Sequence, residues 1–397
     1  MKKIRNFIAH FPSRLESLYN LAIFQLTELQ NLRTIEVLSF KKSHFMRKHY
    51  LLYFSILSLM LLLNQNAKAQ DPVFGQFYTA PTMLNPALNG VFQGQFRVHA
   101  NYREQWSSVL GSDPFRTIGA GFEWRQNVVH DDYLGISVNA LGDQAGMANF
   151  ATTRGNLGLS FMKQLSGGYR SASQYLVAGG QFGLGQHSLD YGNLWFSKQF
   201  DSGTSSVDQT LSTGENFGMG NTDVYVNINA GLLWYALFDD NFSLYAGAAL
   251  NHINEPNISF LGDQTEMLPR RWVYHVGGEI PFNRQLSLLP AAMLTTQGES
   301  MTTIFGGNFR FTNRDWREVA LRGGVWGQIS NKLADETLLN SLIFVAIIEL
   351  DRYNIGISYD VNASSVSDIT YSRGAFELSF TYTHPTKHRE KVICPKY

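Results

Sequence analysis

His130-Asp131-Asp132 sets a histidine beside two carboxylates, the residue types with which a barrel hydrolase activates water or a serine. Asp is also an ordinary turn former, and this triplet falls between two alternating segments, so a turn is the preferred reading. Leu-Gly-Asp-Gln occurs at 141–144 and again at 261–264, both placed in outer loops, but so short a match does not establish a repeat. The stretch Asp201 to Asp223 is rich in Ser, Gly, Thr and Asp and offers oxygen ligands, yet it lacks the ligand spacing of a calcium loop. Cys394 is the single cysteine, which rules out an intramolecular disulfide and reads as a tail residue without a catalytic role. There is no His-Glu-x-x-His, no Cys-x-x-Cys, no phosphate-cradling glycine loop and no serine elbow. The expectation is a chain that is not an enzyme, with no catalytic residue, no cofactor and no metal site.

The elements that would carry such residues are strands. From residue 95 onward the dominant period is two, the mark of a strand with one apolar face. Phe96, Val98, Ala100 and Tyr102 alternate with Arg97, His99, Asn101 and Arg103. Phe376, Leu378, Phe380 and Tyr382 alternate with Glu377, Ser379 and Thr381. About 14 strands of this kind are predicted, near 95–105, 115–126, 133–141, 154–164, 174–186, 223–237, 241–252, 271–282, 285–296, 302–312, 316–328, 341–350, 353–361 and 374–383, enough for a membrane barrel. The connections tend to alternate in length. Asp239-Asp240, Asn283-Arg284, Asn313-Arg314-Asp315 and Asp351-Arg352 are tight, whereas 187–222, 253–270, 329–340 and 362–373 are long. Short turns at one rim and long loops at the other describe an outer-membrane barrel with its short turns in the periplasm. A soluble β-sandwich would alternate too, but nothing in it demands alternating loop lengths.

The composition agrees. The 397 residues carry a net charge of +0, which gives no reason to expect nucleic acid, and only 16% are charged, below the roughly 25% of ordinary soluble domains. With the apolar face toward lipid, the lumen receives Arg97, Arg103, Glu123, Arg125, Arg310, Arg322, Asp360 and Glu377, a mixture of signs that predicts ion pairs rather than a conduction path. Strand 341–350 is apolar on both faces and so predicts an apolar occupant of the lumen. Trp124, Trp234, Trp272, Trp316 and Trp326 are assigned to aromatic girdles.

Ahead of the barrel the chain changes character twice. Arg47 and Lys48, the apolar run Tyr50 to Leu63 and the small-x-small site Ala67-Lys68-Ala69 make 46–69 a signal peptide, since the apolar run is short for a bilayer span. Residues 1–45 precede it awkwardly and are expected to be a spurious upstream extension, with translation starting at Met46. Residues 70–94 do not read as a strand. Pro72, Pro81 and Pro86 interrupt ladder pairing while Phe74, Phe77, Tyr78, Met83 and Leu84 demand burial, so this leader is predicted to fold into the lumen as a plug. The barrel then spans 95–383, and 384–397 form a periplasmic tail.

The leader also carries a resemblance. Asp71-Pro72-x-Phe74-x-Gln76-Phe77-Tyr78, Leu84-Asn85-Pro86-Ala87, Gly90 and Tyr102-Arg103-x-Gln105-Trp106 resemble the opening of the PorP/SprF family. Tyr359-Asp360, Glu377 within Gly374-Ala375-Phe376-Glu377, and the closing Cys394-Pro395-Lys396-Tyr397 resemble its far end. The resemblance implies a non-enzymatic outer-membrane barrel of the type IX secretion and gliding apparatus. Its implied partners are the secretion channel or periplasmic ring components and a large surface adhesin as cargo. A porin or substrate-selective channel is the alternative, and it would need an open lumen.

Overall fold

The structure, a computed structural model, describes residues 70–129, 131–168, 171–214, 220–239, 242–261, 266–313, 319–331, 337–364 and 370–386. The signal-peptide and upstream-extension expectations lie outside these residues, as do His130, Trp316, Cys394 and most of the C-terminal tail.

Fourteen antiparallel strands close into a barrel. In chain order they are β1 (Phe96–Gln105), β2 (Phe115–Val129), β3 (Asp132–Ala145), β4 (Phe150–Gly168) and β5 (Ser171–Ser188). A two-residue hairpin, β6 (Phe200–Asp201) and β7 (Ser206–Val207), sits in the long loop that follows. The barrel resumes with β8 (Tyr225–Asp239), β9 (Phe242–Asn251), β10 (Arg271–Pro281), β11 (Leu286–Gln297) and β12 (Ser300–Thr312). It ends with β13 (Val319–Asn331), β14 (Thr337–Leu350), β15 (Tyr353–Asn362) and β16 (Arg373–His384). Each pairs with its neighbour in sequence, and β1 pairs with both β2 and β16, which closes the ring. All fourteen strands expected from the alternation are present. Each has 10 to 19 residues, enough for the roughly 9–11 that a tilted strand needs to cross a bilayer. Closure leaves no unpaired edge, the condition a hydrocarbon environment imposes on sheet structure.

The alternation sorts side chains as its period requires. Phe122, Leu157, Phe182, Val276, Phe309, Phe344 and Ile357 point outward and are exposed. This apolar exterior around a polar interior is the arrangement of an outer-membrane protein. Rings gather near the short-turn rim, where Phe96 lies 5.8 Å from Phe122 and Tyr353 lies 5.0 Å from Tyr382. Trp124 and Trp272 are exposed on the outer surface as girdle residues should be, but Trp326 is not. It shares the parity of Arg322, points into the lumen, is buried, and donates its indole N–H to Asn308 Oδ1 at 3.0 Å. The first Leu-Gly-Asp-Gln copy is likewise not a loop. It belongs to β3, which runs on past the sequence-predicted end because β2 and β4 continue to pair with it.

The core of the molecule is the lumen. Its buried cluster joins Phe77, Tyr78, Leu84, Ala87, Leu88 and Val91 of the leader to wall residues including Tyr175, Leu233, Tyr235, Met293, Ile304 and Trp326. Ile343, Val345 and Ile347 complete it, so the second apolar face of β14 meets the leader.

Candidate functional site: the leader seated in the lumen

Residues 70–94 form three short turns rather than a strand: Phe77–Thr79, Pro81–Leu84 and Pro86–Leu88. Pro81 and Pro86 each open a helical turn, where the fixed proline φ suits the geometry and the missing N–H costs nothing. Asn85 caps the third turn by accepting the Ala87 N–H at 2.8 Å. The prolines that excluded a ladder therefore set the shape of the plug.

The wall makes room for it with glycine. A Cβ at Gly135 in β3 would stand 2.5 Å from Asn89 O, and one at Gly179 or Gly231 would collide with Pro86 or Asn85. On the leader side Gly90 has φ +74 and its Cβ would meet Gly135 Cα at 2.8 Å, so both conformation and space require glycine there. The Pro86–Leu88 turn thus packs directly on β4, β5, β8 and β9.

Hydrogen bonds to the wall then fix the leader along its length. Toward the long-loop end, the Asp71 carboxylate accepts from Arg154 at 2.6 and 2.9 Å and lies 2.6 Å from His252 Nε2. Arg271 stands 3.6 Å away, and the Asp71 N–H donates to Gln297 Oε1 at 2.8 Å. Burial alone would raise this carboxyl, but Arg154 and His252 hold it well below the ordinary carboxylate range. At mid-height the backbone N–H groups of Gly75 and Gln76 donate to the two oxygens of Glu377, at 2.8 and 3.0 Å. Glu377 also pairs with Arg103 at 3.1 Å, and Arg103 reaches Asp360 at 2.7 Å. The Gln76 side chain donates to Ser358 Oγ and accepts from Ser379 Oγ.

Asn85 donates to Leu232 O, at 3.1 Å, and also lies 3.0 Å from His275 Nε2. Gly90 N–H donates to Glu123, which is held in a two-point pair by Arg97. Arg125 donates to Phe92 O and lies 3.8 Å over the Tyr133 ring. Buried carboxylates and guanidiniums are costly unless paired and hydrogen-bonded, and here the leader backbone supplies part of that pairing. Wall and plug complete each other.

The residues singled out in the sequence divide accordingly. Asp71, Gln76, Tyr78, Leu84, Asn85, Pro86 and Gly90 are buried in the plug, and Pro72 is half-buried beside them. Arg103, Asp360 and Glu377, distant in sequence, meet in one network beneath Gln76. Tyr102 and Tyr359 face outward instead. Gln105 ends β1, and Trp106, with φ 61, starts a short outer-loop helix, Ser107–Leu110, away from the leader. Asp132 bonds Lys163 and the Gln164 N–H at the start of β3, the structural role expected of a turn carboxylate. Arg154, His252, Arg271 and Gln297 went unremarked in the sequence, although the parity of β4 and β10 places both arginines on the inner face. Among the described residues no group of three or more His, Cys, Asp or Glu is placed to hold a metal ion.

Among the described residues, spaces remain beside the plug on both of its sides. A cavity of about 440 Å³ lies at the short-turn mouth, lined by Tyr78, Phe92, Arg97, Arg310, Arg322, Arg352 and residues of β16. One of about 70 Å³ lies on the other side of the leader, next to Asp71 and Arg154.

The family model described as type IX secretion system membrane protein PorP/SprF matches residues 66–382. No curated protein sequence matches. Solved structures similar to the chain include the Ralstonia pickettii toluene transporter TbuX, at 13% identity and TM-score 0.43, covering 77% of this chain and 94% of that one. A deltaS2 mutant of the TodX monoaromatic hydrocarbon channel matches at 13% identity and TM-score 0.46, covering 78% and 95%. CdiB from Acinetobacter baumannii matches at 7% identity and TM-score 0.41, covering 72% and 60%. At these scores nothing about those proteins' substrates carries over.

Proposed function

This chain belongs to the PorP/SprF family of type IX secretion system membrane proteins, and we propose that it works there as a sealed, non-enzymatic barrel supporting surface display of large adhesin-type proteins. In this reading residues 46–69 export the chain and are removed, 70–94 stay in the lumen as a permanent plug, and the periplasmic rim faces ring or channel components of the apparatus. The observation that carries it is the seating of the leader. A strand wall with glycines under Asn85-Pro86 and the Glu377 carboxylate under the Gly75 and Gln76 amides is built around an occupant, not around passing solute.

Deleting the gene and comparing surface proteins tests the role directly, with loss of one or more very large surface proteins as the expected result. An unchanged surface set would sink the secretion reading. The channel alternative is separable: the full chain in planar bilayers is expected to give no steady conductance, and a chain lacking 70–94 is expected to conduct.

A further inference from the structure

We infer that the leader threads its own barrel from end to end with its free end outermost, so that the α-amine released by cleavage after Ala69 is displayed on the outer surface of the cell, open to amine-directed modification. The inference rests on the export reading above, in which residues 46–69 are removed and the short turns are periplasmic. It adds a surface site that the reading does not contain.

The direction of threading follows from the strand ends that the leader meets. Asp71 is held at the long-loop rim. Arg271 is the first residue of β10, Gln297 is the last of β11, and His252 directly follows β9. These three and Arg154, near the start of β4, surround Asp71. Lower down, Gly75 and Gln76 sit on Glu377, a few residues inside β16. Asn85 then reaches His275, midway along β10. The last leader residues lie at the opposite rim, where Phe92 O accepts from Arg125 and the Gln95 N–H donates to His384 O at 2.8 Å. His384 is the last residue of β16, so the leader descends the whole lumen without doubling back.

The two ends of the leader are therefore unlike. At the short-turn rim it is tethered, because Gly94 turns the chain into β1 with φ +155, and a Cβ there would stand 2.6 Å from His384 O. At the long-loop rim it has no tether once residues 46–69 are gone. Gln70 is exposed, whereas Asp71 beside it is only 8% exposed. The Asp71 N–H donates to Gln297 Oε1 at 2.8 Å, which fixes the peptide group joining the two residues at the boundary between lumen and water. A terminal ammonium is costly to bury without a partner, and a leader that stops at this rim leaves it in solvent. The opposite direction of threading would carry that charge into the packed lumen.

Amine labelling of intact cells tests the placement, using a bulky biotin ester that does not cross the outer membrane and the full chain carrying Gln70→Ser. The substitution is needed because an N-terminal glutamine can close on itself: its α-amine attacks the side-chain amide carbon, ammonia leaves, and the reactive amine is lost. The tryptic peptide 70–97 contains no lysine, so any biotin on it marks the α-amine. Lys198, exposed in the loop between β5 and β8, reports the outer face, and Lys163, exposed near the short-turn end of β4, reports the inner one. Peptide 70–97 is expected to be labelled on intact cells together with Lys198, while Lys163 is labelled only after the outer membrane is permeabilised. Labelling of 70–97 only alongside Lys163, or under neither condition, would overturn the inference. Recovery of a peptide that begins upstream of residue 70 would instead remove the export reading on which it stands. Surface labelling with an unchanged surface-protein set after gene deletion would keep the displayed amine and remove the secretion role.

Discussion

Strands β3, β5 and β8 meet the leader with bare backbone, whereas β1 and β16 meet it with Arg97, Arg103 and Glu377. On the first side Gly135, Gly179 and Gly231 let main chain lie on main chain, and position is set by shape. On the second side, the Glu377 carboxylate reaches in from the wall and accepts two leader amides, with Arg103 paired to it, so position is set by hydrogen bonds. The open cavity lies on the charged side, partly because long side chains can hold a partner without filling all the space around it. A glycine-bare wall leaves no such freedom. Both halves of the lumen anchor the plug, one by shape and the other by hydrogen bonds that leave space beside it.

Removing the charge from the second side is the harshest way to break this comparison. Glu377→Ala leaves Arg103 with Asp360 alone and strands two buried leader N–H groups, so a loss of about 3–5 kcal/mol is expected in denaturant unfolding of the detergent-solubilised barrel. Near-wild-type stability would mean that shape alone holds the plug. On the glycine side, Gly231→Val collides with Asn85, and overpacking of this kind costs about 1–3 kcal/mol. Protease cleavage within 70–94 should rise with it. Gly323→Val is the matched control, because a Cβ there meets nothing within 4 Å, and it should change neither readout.

Asn85→Ala sharpens the same side more gently. It removes the cap on Ala87 and the bond to Leu232 O, with an expected loss of about 1–2 kcal/mol and no change in the charged network. The smallest effect concerns pH. Because the Asp71 carboxyl is held below its ordinary range, its contribution is fully present above the unfolded-chain value of about 3.9 and is lost only as pH falls through the lower folded value. Leader protection attributable to Asp71, measured as the difference from Asp71→Asn, should therefore stay flat between neutrality and mild acid. A decline in that difference between neutrality and mild acid would mean that Arg154 and His252 do not hold the carboxyl down.

The strands, the plug and most lumen charges were legible in the sequence because each depends on local pattern. A period of two separates a lipid face from an inner face wherever the strands pair, and prolines at 72, 81 and 86 exclude a ladder without reference to any neighbour. Trp326 shows the limit of reading residue type over parity: tryptophan suggests a girdle, but its register with Arg322 puts it inside. The partners of Asp71 were beyond that kind of reading. Arg154 lies 83 residues away and Gln297 lies 226 away, and only the closed register brings them to one carboxylate.

By itself, then, the sequence determined that this chain is a barrel with an apolar coat, because partition between lipid and a polar interior acts on each side chain through its strand parity. It also determined that the leader is buried, since its aromatics have nowhere else to go. Tertiary structure alone decided which wall residues the leader would meet, where the glycines would have to lie, and that Arg310 and Arg322 would face each other across one glutamate. Those outcomes depend on the shear and closure of fourteen strands, which no single segment encodes.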